Sequence, residues 1–562
     1  MHIDPNEKLV GTNSLRSREL EILRRIYACF AGQSFDDASL MKLRMEGYTG
    51  AEHLLSFLNL REKGYIKAVM NTWGERLYYI PMDHLAVLHH MLYTHQHIEM
   101  KEDVLLMKEA KSGLALDVFH ALVFIATEQL PLTSKGTVHK KSIQKIADRI
   151  NLQGEDLQGL TLHVSNVENV PLHINLIVEL LQDLQLVTRE PRQIVLREKA
   201  LYSWLNSNTD QMTSILLKIV IERYGSEDSK MQHLWCSICQ PPFVSGQWVE
   251  MELLLEWMVQ QQMVEPAQLY EMRARANAWL YAFAGFGWMD VGMLPDQRIC
   301  YRWRISADEV RDAGVFDKGN LTILHDMSIS KFYVQPDFDI IVLPDVPYRL
   351  RWKLMMYTEI HKSDRTSIYR LTKASILQAV RKGIGVNEMI SFMTEHAEMG
   401  VPEHISLAIR QWAKDTNEGE LLDRACVENK WIVQYENETD SYEIQSFYKD
   451  DYGMQGVEVD DDQSLRDTLF QGVEHIPKMW IKDFRSYHLS TGIQLMEQAI
   501  LWKTSVKLSL EGNEVDFIPL HITTNPYEIS GELYNAHKQK YERTQMSPSD
   551  WNEIRLIVPD FT

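Results

Sequence analysis

The segment from Phe332 to Trp412 constrains the fold more than any other part of the sequence. Its apolar run Ile340–Leu343 is β-branched and short, which is typical of a buried strand. Pro336 and Pro344 bracket the run, at positions where the amide donors that proline lacks are not needed. Four helices are predicted after the strand, at 348–358, 373–382, 386–395 and 402–412. The segment is therefore predicted to be a small α/β module.

Boundary signals define these helices and carry a family resemblance. Thr372 is placed as an N-cap, Gly383 as a helix stop, and Pro402 in a first helical turn. The segment resembles the N-terminal, non-motor domain of XPB-type DNA helicases, on the following features in this order: Val334-Gln335-Pro336-Asp337, Tyr369-Arg370-Leu371-Thr372, Gly383 and Gly400-Val401-Pro402. The resemblance implies a helicase-associated protein with this module at 321–435, extending through a Lys430–Val433 strand.

A helicase motor is not predicted around this module. The sequence contains no Gly-Lys dipeptide, so it has no G-x-x-x-x-G-K-[ST] phosphate loop. The H-E-x-x-H and G-x-S-x-G patterns of metalloproteases and α/β-hydrolases are absent as well. We therefore predict a protein that is not an enzyme and needs no cofactor.

Length and composition predict an ordinary multidomain protein. The 562 residues contain 45% hydrophobic and 24% charged residues and five cysteines. The apolar windows are shorter than the roughly 20 residues that span a bilayer, and so few cysteines do not suggest a disulfide framework. We expect a cytoplasmic protein with no membrane partner. The fold class is predicted to be α+β, predominantly helical, with several winged-helix-like units, the XPB-type module and a small β-rich C-terminal domain.

The N-terminal half repeats a pattern of three helices followed by a β-hairpin, which is typical of winged-helix units. The clearest example combines helices at 19–31 and 51–63, a short helix capped by Asp37, and strands at 65–69 and 76–80. A third, weaker unit is placed at 269–305. The predicted boundaries are 1–83 for the first unit, 84–113 for a connecting helix, 114–200 for the second unit, 201–320 for a helical region, 321–435 for the XPB-type module, 436–478 for an acidic linker and 479–562 for the C-terminal domain.

Charge is distributed unevenly along the chain. The net charge is −20, which argues against indiscriminate nucleic-acid binding. The window 347–384 contains nine Lys or Arg and two acidic residues, a net +7, whereas 436–467 contains two basic and eleven acidic residues, a net −9. The basic window lies inside the XPB-type module. We expect DNA phosphate contacts there from Arg349, Arg351, Lys353, Arg365, Arg370 and Lys373.

A second basic stretch precedes a predicted helix in the second unit. Lys135, Lys140, Lys141 and Lys145 are candidates for phosphate contacts, which position a protein on DNA without specifying sequence. The alternative is a solvated, lysine-rich helix start. The third helix of the first unit contains few basic residues, so we expect that unit to dock a protein partner rather than to read bases.

A Cys-x-x-Cys pair offers a candidate metal site. His233, Cys236 and Cys239 could supply three zinc ligands, but a second such pair is missing. A redox pair would need a strand–helix context, and Pro241-Pro242 follows directly. Buried, inert cysteines are the simpler interpretation, and we predict no bound metal.

The C-terminal region is predicted to contain an amphipathic helix at 492–500 and a hairpin of 505–510 with 515–522 around Glu511-Gly512-Asn513. This arrangement resembles a reduced WYL-type domain, a small β-rich regulatory module, although the Trp-Tyr-Leu signature is missing.

Two functional hypotheses follow from the sequence. The first is a non-enzymatic DNA-binding accessory protein in DNA processing, repair or transcription. The second is a protein-interaction scaffold that docks a separate helicase, nuclease or transcription component without binding DNA. An enzyme of an unrecognised class is a third alternative, which ATP hydrolysis by the purified protein would support.

Overall fold

A computed structural model describes residues 15–43, 47–93, 102–128, 130–134, 136–162, 170–240, 243–244, 246–316, 321–322, 331–364, 366–414, 443–444, 456–459, 469–524, 527–535, 538 and 540–558. The predicted Lys430–Val433 strand lies outside these residues. The chain divides into two compact units, 1–92 with 449–562 and 93–448.

The α-helices of the described residues follow in chain order. They are α1 Ser17–Phe30, α2 Asp37–Lys42, α3 Gly50–Glu62, α4 Leu85–Leu92, α5 Leu114–Glu128, α6 Lys140–Ala147, α7 Leu172–Asp183, α8 Glu198–Leu205, α9 Thr209–Ile219, α10 Ser229–Ile238, α11 Met251–Gln260, α12 Leu269–Gly285, α13 Ala307–Ala313, α14 Tyr348–Met355, α15 Lys373–Arg381, α16 Val386–His396, α17 Glu403–Lys414, α18 Lys478–Lys482 and α19 Leu489–Leu501.

The strands are short except near the C-terminus. They are β1 Lys67–Asn71, β2 Arg76–Tyr79, β3 Leu105–Lys108, β4 Leu130–Pro131, β5 Val187–Arg189, β6 Gln193–Leu196, β7 Val249–Glu250, β8 Met289–Met293, β9 Ile299–Trp303, β10 Leu321–Thr322, β11 Tyr333–Val334, β12 Asp339–Val342, β13 Glu359–Lys362, β14 Ser367–Arg370, β15 Glu443–Ile444, β16 Gly456–Glu458, β17 Val506–Leu510, β18 Asn513–Thr524, β19 Tyr527–Asn535, β20 Lys540–Met546 and β21 Ile554–Leu556.

These elements confirm the predicted α+β class, with more helix than strand. No helix in the described part of the chain is both long and apolar enough to cross a bilayer. In the described residues of the interval 84–113, which was predicted as a connecting helix, the structure has the helix α4 and the strand β3.

The first compact unit joins the two ends of the chain. Ala51 and Leu55 of α3 share an apolar core with Trp502 and with the C-terminal sheet. The amide of Ala51 also donates to the carbonyl of Lys503 at 2.8 Å. Contacts between residues this far apart in sequence are decided by packing, so no local pattern could have predicted them.

The N-terminal part of this unit contains the predicted three helices and hairpin. The side chain of Thr49 caps α3 and forms a reciprocal capping box with Glu52. The predicted cap of α2 is displaced by one residue, because the carboxylate of Asp36 accepts the amide of Ser39 at 2.8 Å and Asp37 is already helical. We call α1–α3 with β1 and β2 the first helix–hairpin unit.

The C-terminal part contains α19 and a five-stranded antiparallel sheet in the order β20-β19-β18-β17-β21. The predicted hairpin between β17 and β18 is confirmed, with Leu510 opposite Asn513. Pro519 lies in β18 at a register shift opposite Gly531, an arrangement that accommodates a strand proline.

The second compact unit contains two further helix–hairpin units. In the second, α5, α6 and α7 precede β5 and β6, and the sheet has the order β4-β6-β5. In the third, α10, α11 and α12 precede β8 and β9, and the sheet has the order β3-β8-β9-β7. In both units a short early strand pairs with the second strand of the hairpin.

The segment 331–414 follows in the same compact unit. Its four strands form an antiparallel sheet in the order β11-β12-β14-β13. Thr372 caps α15 by accepting the amide of Ser375 at 3.0 Å, as its sequence position predicts. The strand β13, which was not predicted, follows the predicted helix 348–358 and pairs with β14 through a bulge.

Candidate nucleic-acid interface

Helix α6 presents a row of lysines to solvent. Ile143 and Ile146 are buried and fix the orientation of the helix. The side chains of Lys140, Lys141 and Lys145 are exposed. Lys141 and Lys145 are four residues apart, so they lie on the same face of the helix. Lys141 and Lys145 therefore form one exposed basic face, and Lys140 is exposed beside Lys141 at the start of the helix.

An acidic residue at the end of α5 orients two members of this surface. Both Lys145 and Arg149 donate to the carboxylate of Glu128. Partial burial would raise the pKa of Glu128, but these two cations outweigh it, so the pKa is lowered. The guanidinium of Arg149 also lies 5.1 Å from the centre of the Phe124 ring. Glu128 is thus the counter-ion that Lys145 and Arg149 share.

The end of α15 reaches the same place from the segment 331–414. The ammonium of Lys382 donates to the carbonyl of Thr127 at 3.4 Å. Burial lowers the pKa of Lys382, and the charge of Glu128 opposes that effect. Two basic stretches more than two hundred residues apart in sequence therefore meet. We call Lys140, Lys141, Lys145, Arg149 and Lys382 the junction cluster.

Apolar and polar contacts join the second helix–hairpin unit to the segment 331–414. The ring of Phe119 in α5 lies 5.2 Å from that of Tyr348 and 6.2 Å from that of Trp352, both in α14. The side-chain amide of Asn151 donates to the hydroxyl of Ser363 at 3.3 Å. Because these contacts are buried or half-buried, the cations on the two sides keep a fixed relative position.

The predicted phosphate contact of Arg351 is contradicted by the burial of its side chain. Its side chain is only 2% exposed. The guanidinium donates to the carbonyls of Val346 at 2.9 Å, Leu343 at 2.6 Å and Pro344 at 3.2 Å. It also lies 5.2 Å from the centre of the Tyr348 ring. Arg351 therefore stabilises the loop before α14 and has no surface to offer a phosphate.

The side chain of Arg370 is also occupied by a partner within the protein, Asp339. Its guanidinium donates to both carboxylate oxygens of Asp339, at 2.6 and 2.8 Å. The hydrogen bonds from Arg370 hold the pKa of Asp339 below its usual value. A paired, two-point contact of this kind leaves little charge for a ligand.

Arg349 and Lys353 are grouped around a histidine of their own segment. They act together with Lys331 on His396 at the end of α16. Burial is the main cause of the lowered pKa of His396, and the three cations lower it further while Glu395 opposes them. These cations are grouped, but around a histidine of the same segment.

The remaining predicted residues are placed as follows. Lys373 is exposed at the first turn of α15. Lys135 and Arg365 lie outside the described residues. Sequence reasoning left Arg149 and Lys382 out of the predicted set. The signal for Arg149 was its position four residues after Lys145, and Lys382 lay inside the basic window.

The zinc candidates lie at the end of α10. Cys236 is buried and Cys239 follows the helix as its C-cap. Burial, with Cys236 close by, raises the pKa of the Cys239 thiol. The described residues hold no group of three or more His, Cys, Asp or Glu side chains arranged for a metal ion. His233 is also buried and Cys239 is half-buried, and the interpretation of inert cysteines without a metal stays a prediction.

Comparison with known proteins identifies one part of the chain. A family model described as a helicase conserved C-terminal domain matches residues 332–427. This segment is similar to a helicase domain. The match supports a helicase-related association for the protein, and the resemblances to the XPB N-terminal domain and to WYL domains stay predictions. No curated protein matches the chain.

Proposed function

We propose that this protein is a helicase-associated, nucleic-acid-binding accessory protein without a motor of its own. The observation that carries the proposal is the junction cluster. There, α6 of the second helix–hairpin unit lies close to the segment 332–427 that matches the helicase family model, which we call the helicase-like segment. Lys140 and Lys141 are exposed there, and Lys145 and Arg149 share the counter-ion Glu128. Cations concentrated on one surface are what phosphate binding requires.

The sheet of the helicase-like segment supports a role other than nucleotide hydrolysis. All its strand pairs are antiparallel, whereas doubly wound nucleotide-binding folds use mostly parallel strands. The sequence also contains no Gly-Lys dipeptide for a phosphate loop. Purified protein should therefore hydrolyse no ATP above background, with or without DNA.

The topology of the second helix–hairpin unit supports a winged-helix assignment. Three helices precede a hairpin, and a short strand after the first helix pairs with the second hairpin strand. The third helix, α7, contains no lysine or arginine. A helix of that composition is a poor reader of bases in a major groove. The cations of α6 would therefore contact the backbone and bind without sequence preference.

Fluorescence anisotropy with labelled DNA over a salt series tests this proposal. We expect binding at low salt to duplex and forked DNA of unrelated sequences, with log K falling linearly as log[salt] rises. A protein that fails to bind at low salt, or whose affinity is independent of salt, would contradict the proposal.

A second candidate function is a protein-docking scaffold, which one feature of the first helix–hairpin unit favours. Trp73 at the tip of its hairpin is 87% exposed. The side-chain oxygen of Asn71 accepts the amides of Trp73 at 3.0 Å and Glu75 at 2.8 Å, which fixes the turn. A rigid, exposed indole is typical of protein-binding surfaces. A partner retained by the wild-type protein and lost by Trp73→Ala, with no DNA retention by either, would favour the scaffold.

A further inference from the structure

The three helix–hairpin units differ at the outer edge of their hairpins. In the first and third units an additional strand pairs with the first hairpin strand, β16 with β1 and β3 with β8. In the second unit, β5 is the edge of the sheet. Within the described residues, therefore, two hairpins are extended by a further strand and one is open.

The additional strand of the first unit comes from the acidic part of the chain. The amide of Val459 donates to the carbonyl of Ala68 at 3.0 Å, and β16 pairs antiparallel with β1. The ammonium of Lys67 lies 3.1 Å from the carboxylate of Glu458. The strand thus covers the edge of the hairpin and pairs its half-exposed lysine with a carboxylate.

The hairpin of the third unit is covered by an apolar strand and is neutral at its turn. Leu105 pairs with Met293, and Leu106 pairs with Gly292. At the turn between β8 and β9, Arg298 forms ion pairs with Asp296 and with the buried Glu250. Little uncompensated positive charge is left there.

The hairpin of the second unit is both open and basic. All residues from Thr188 to Arg192 are exposed. The guanidinium of Arg189 donates to the carbonyl of Gly136, which ties the hairpin to the turn before α6. Among the described residues, no partner is found for the side chain of Arg192. Glu190 is the one acidic residue of this exposed stretch.

We propose that the open hairpin of the second unit extends the junction cluster into one surface for the backbone of duplex DNA, with Arg192 as a phosphate contact, and that the two covered hairpins take no part. This inference rests on the proposed function. It assigns the phosphate contacts to one of three similar units and explains the choice by strand pairing.

The composition of this surface favours a duplex over a single strand. Neither the exposed stretch 188–192 nor the stretch 133–147 contains Phe, Tyr or Trp. Proteins that bind single strands stack bases on aromatic side chains, whereas duplex backbone binding needs only donors and positive charge.

Two matched single-charge removals test the inference in the full-length protein. Arg192→Gln changes the open hairpin, and Lys67→Gln changes the hairpin covered by β16. We expect Arg192→Gln to weaken duplex binding about threefold to tenfold and to lower the salt slope by about 0.9. We expect Lys67→Gln to leave both quantities unchanged, and both variants to bind single strands more weakly than duplex. Circular dichroism verifies that the variants are folded.

The outcomes separate this inference from the proposed function. If the wild-type protein binds DNA and Arg192→Gln binds equally well, the inference is wrong and the proposed function stands. An equal loss from Lys67→Gln, or tighter binding to single strands than to duplex, also overturns it. If the wild-type protein binds no DNA at low salt, both fail together.

Discussion

The basic stretch of α6 and the basic window 347–384 look equivalent in the sequence and have different surroundings in the structure. On α6 the lysines project from a short helix whose apolar residues are buried on the other side. In the window, Arg351 is buried under carbonyl oxygens and Arg370 is paired with Asp339. The comparison teaches that net charge in a sequence window does not measure the charge that a ligand meets.

The difference has a simple physical cause. Arginine offers up to five donors, so it can satisfy several backbone carbonyls in a loop as readily as a phosphate. Lysines at the exposed positions of an amphipathic helix have no carbonyls within reach, because the helix satisfies its own backbone. The sequence spacing on α6 therefore indicates exposure, whereas the residue count in the window does not.

The largest expected effect comes from removing the buried cation of the window. Arg351→Gln should lower the free energy of unfolding by about 2–4 kcal/mol, because three carbonyls of the loop before α14, one of them in a buried residue, lose a charged donor. Urea denaturation of the full-length protein measures this loss. Lys353→Gln, an exposed position on the same helix, is the matched control. Equal stability of the two variants would contradict the structural role assigned to Arg351.

The next largest effect concerns DNA binding through α6. The double variant Lys140→Gln/Lys141→Gln should weaken duplex binding about tenfold and lower the salt slope by about 1.8, as expected for two lost phosphate contacts. Lys353→Gln/Lys373→Gln removes the same charge from the window and should bind almost as wild type. If the control variant loses more affinity than the α6 variant, the assignment of the interface is wrong.

A smaller effect of opposite sign is expected from the counter-ion of the junction cluster. Glu128→Gln frees Lys145 and Arg149 and should tighten DNA binding by about twofold to threefold at low salt. Glu128→Asp retains the charge and serves as the control. Weaker binding by Glu128→Gln would show that Glu128 orients the cations more than it competes for them.

The same residue makes a prediction about pH. Because the pKa of Glu128 is lowered on folding, its ion pairs stabilise the protein above the unfolded pKa, and this contribution is lost as pH falls through the folded pKa. Wild-type protein should therefore lose slightly more stability than Glu128→Gln between neutral and acid pH. Parallel acid titrations followed by circular dichroism measure the difference.

The smallest effect is expected at the surface pair of the window. Arg370→Gln should lower the free energy of unfolding only slightly, because the guanidinium of Arg370 is exposed to solvent, and it should leave DNA affinity unchanged. Asp339→Asn is the matched control for the same pair. A clear loss of DNA affinity in Arg370→Gln alone would restore this residue to the interface.

Local signals in the sequence predicted many helices of the described residues well. The capping role of Thr372 and the hairpin at Leu510 and Asn513 are confirmed, because caps and tight turns are decided by a few neighbouring residues. The strand β13 escaped prediction because its residues, Glu359–Lys362, are mostly polar and lie at the edge of the sheet. Its pairing with β14 is a tertiary effect.

Long-range contacts account for most of what the sequence could not predict. The shared core of α3 and the C-terminal sheet joins opposite ends of the chain. The strand β16 forms in a stretch that was predicted as an acidic linker, and its three residues become a strand only by pairing with β1. The junction cluster is a third case, since Lys382 reaches the end of α5 from a segment more than two hundred residues away in the sequence.

Lysine reactivity with and without duplex DNA tests the central claim most directly. Acetylation at low salt, followed by mass spectrometry, reports the protection of each lysine in the unmodified sequence. We predict that DNA protects Lys140 and Lys141 and leaves Lys353 as reactive as in the free protein. Protection of Lys353 with unchanged reactivity of Lys140 and Lys141 would contradict the account.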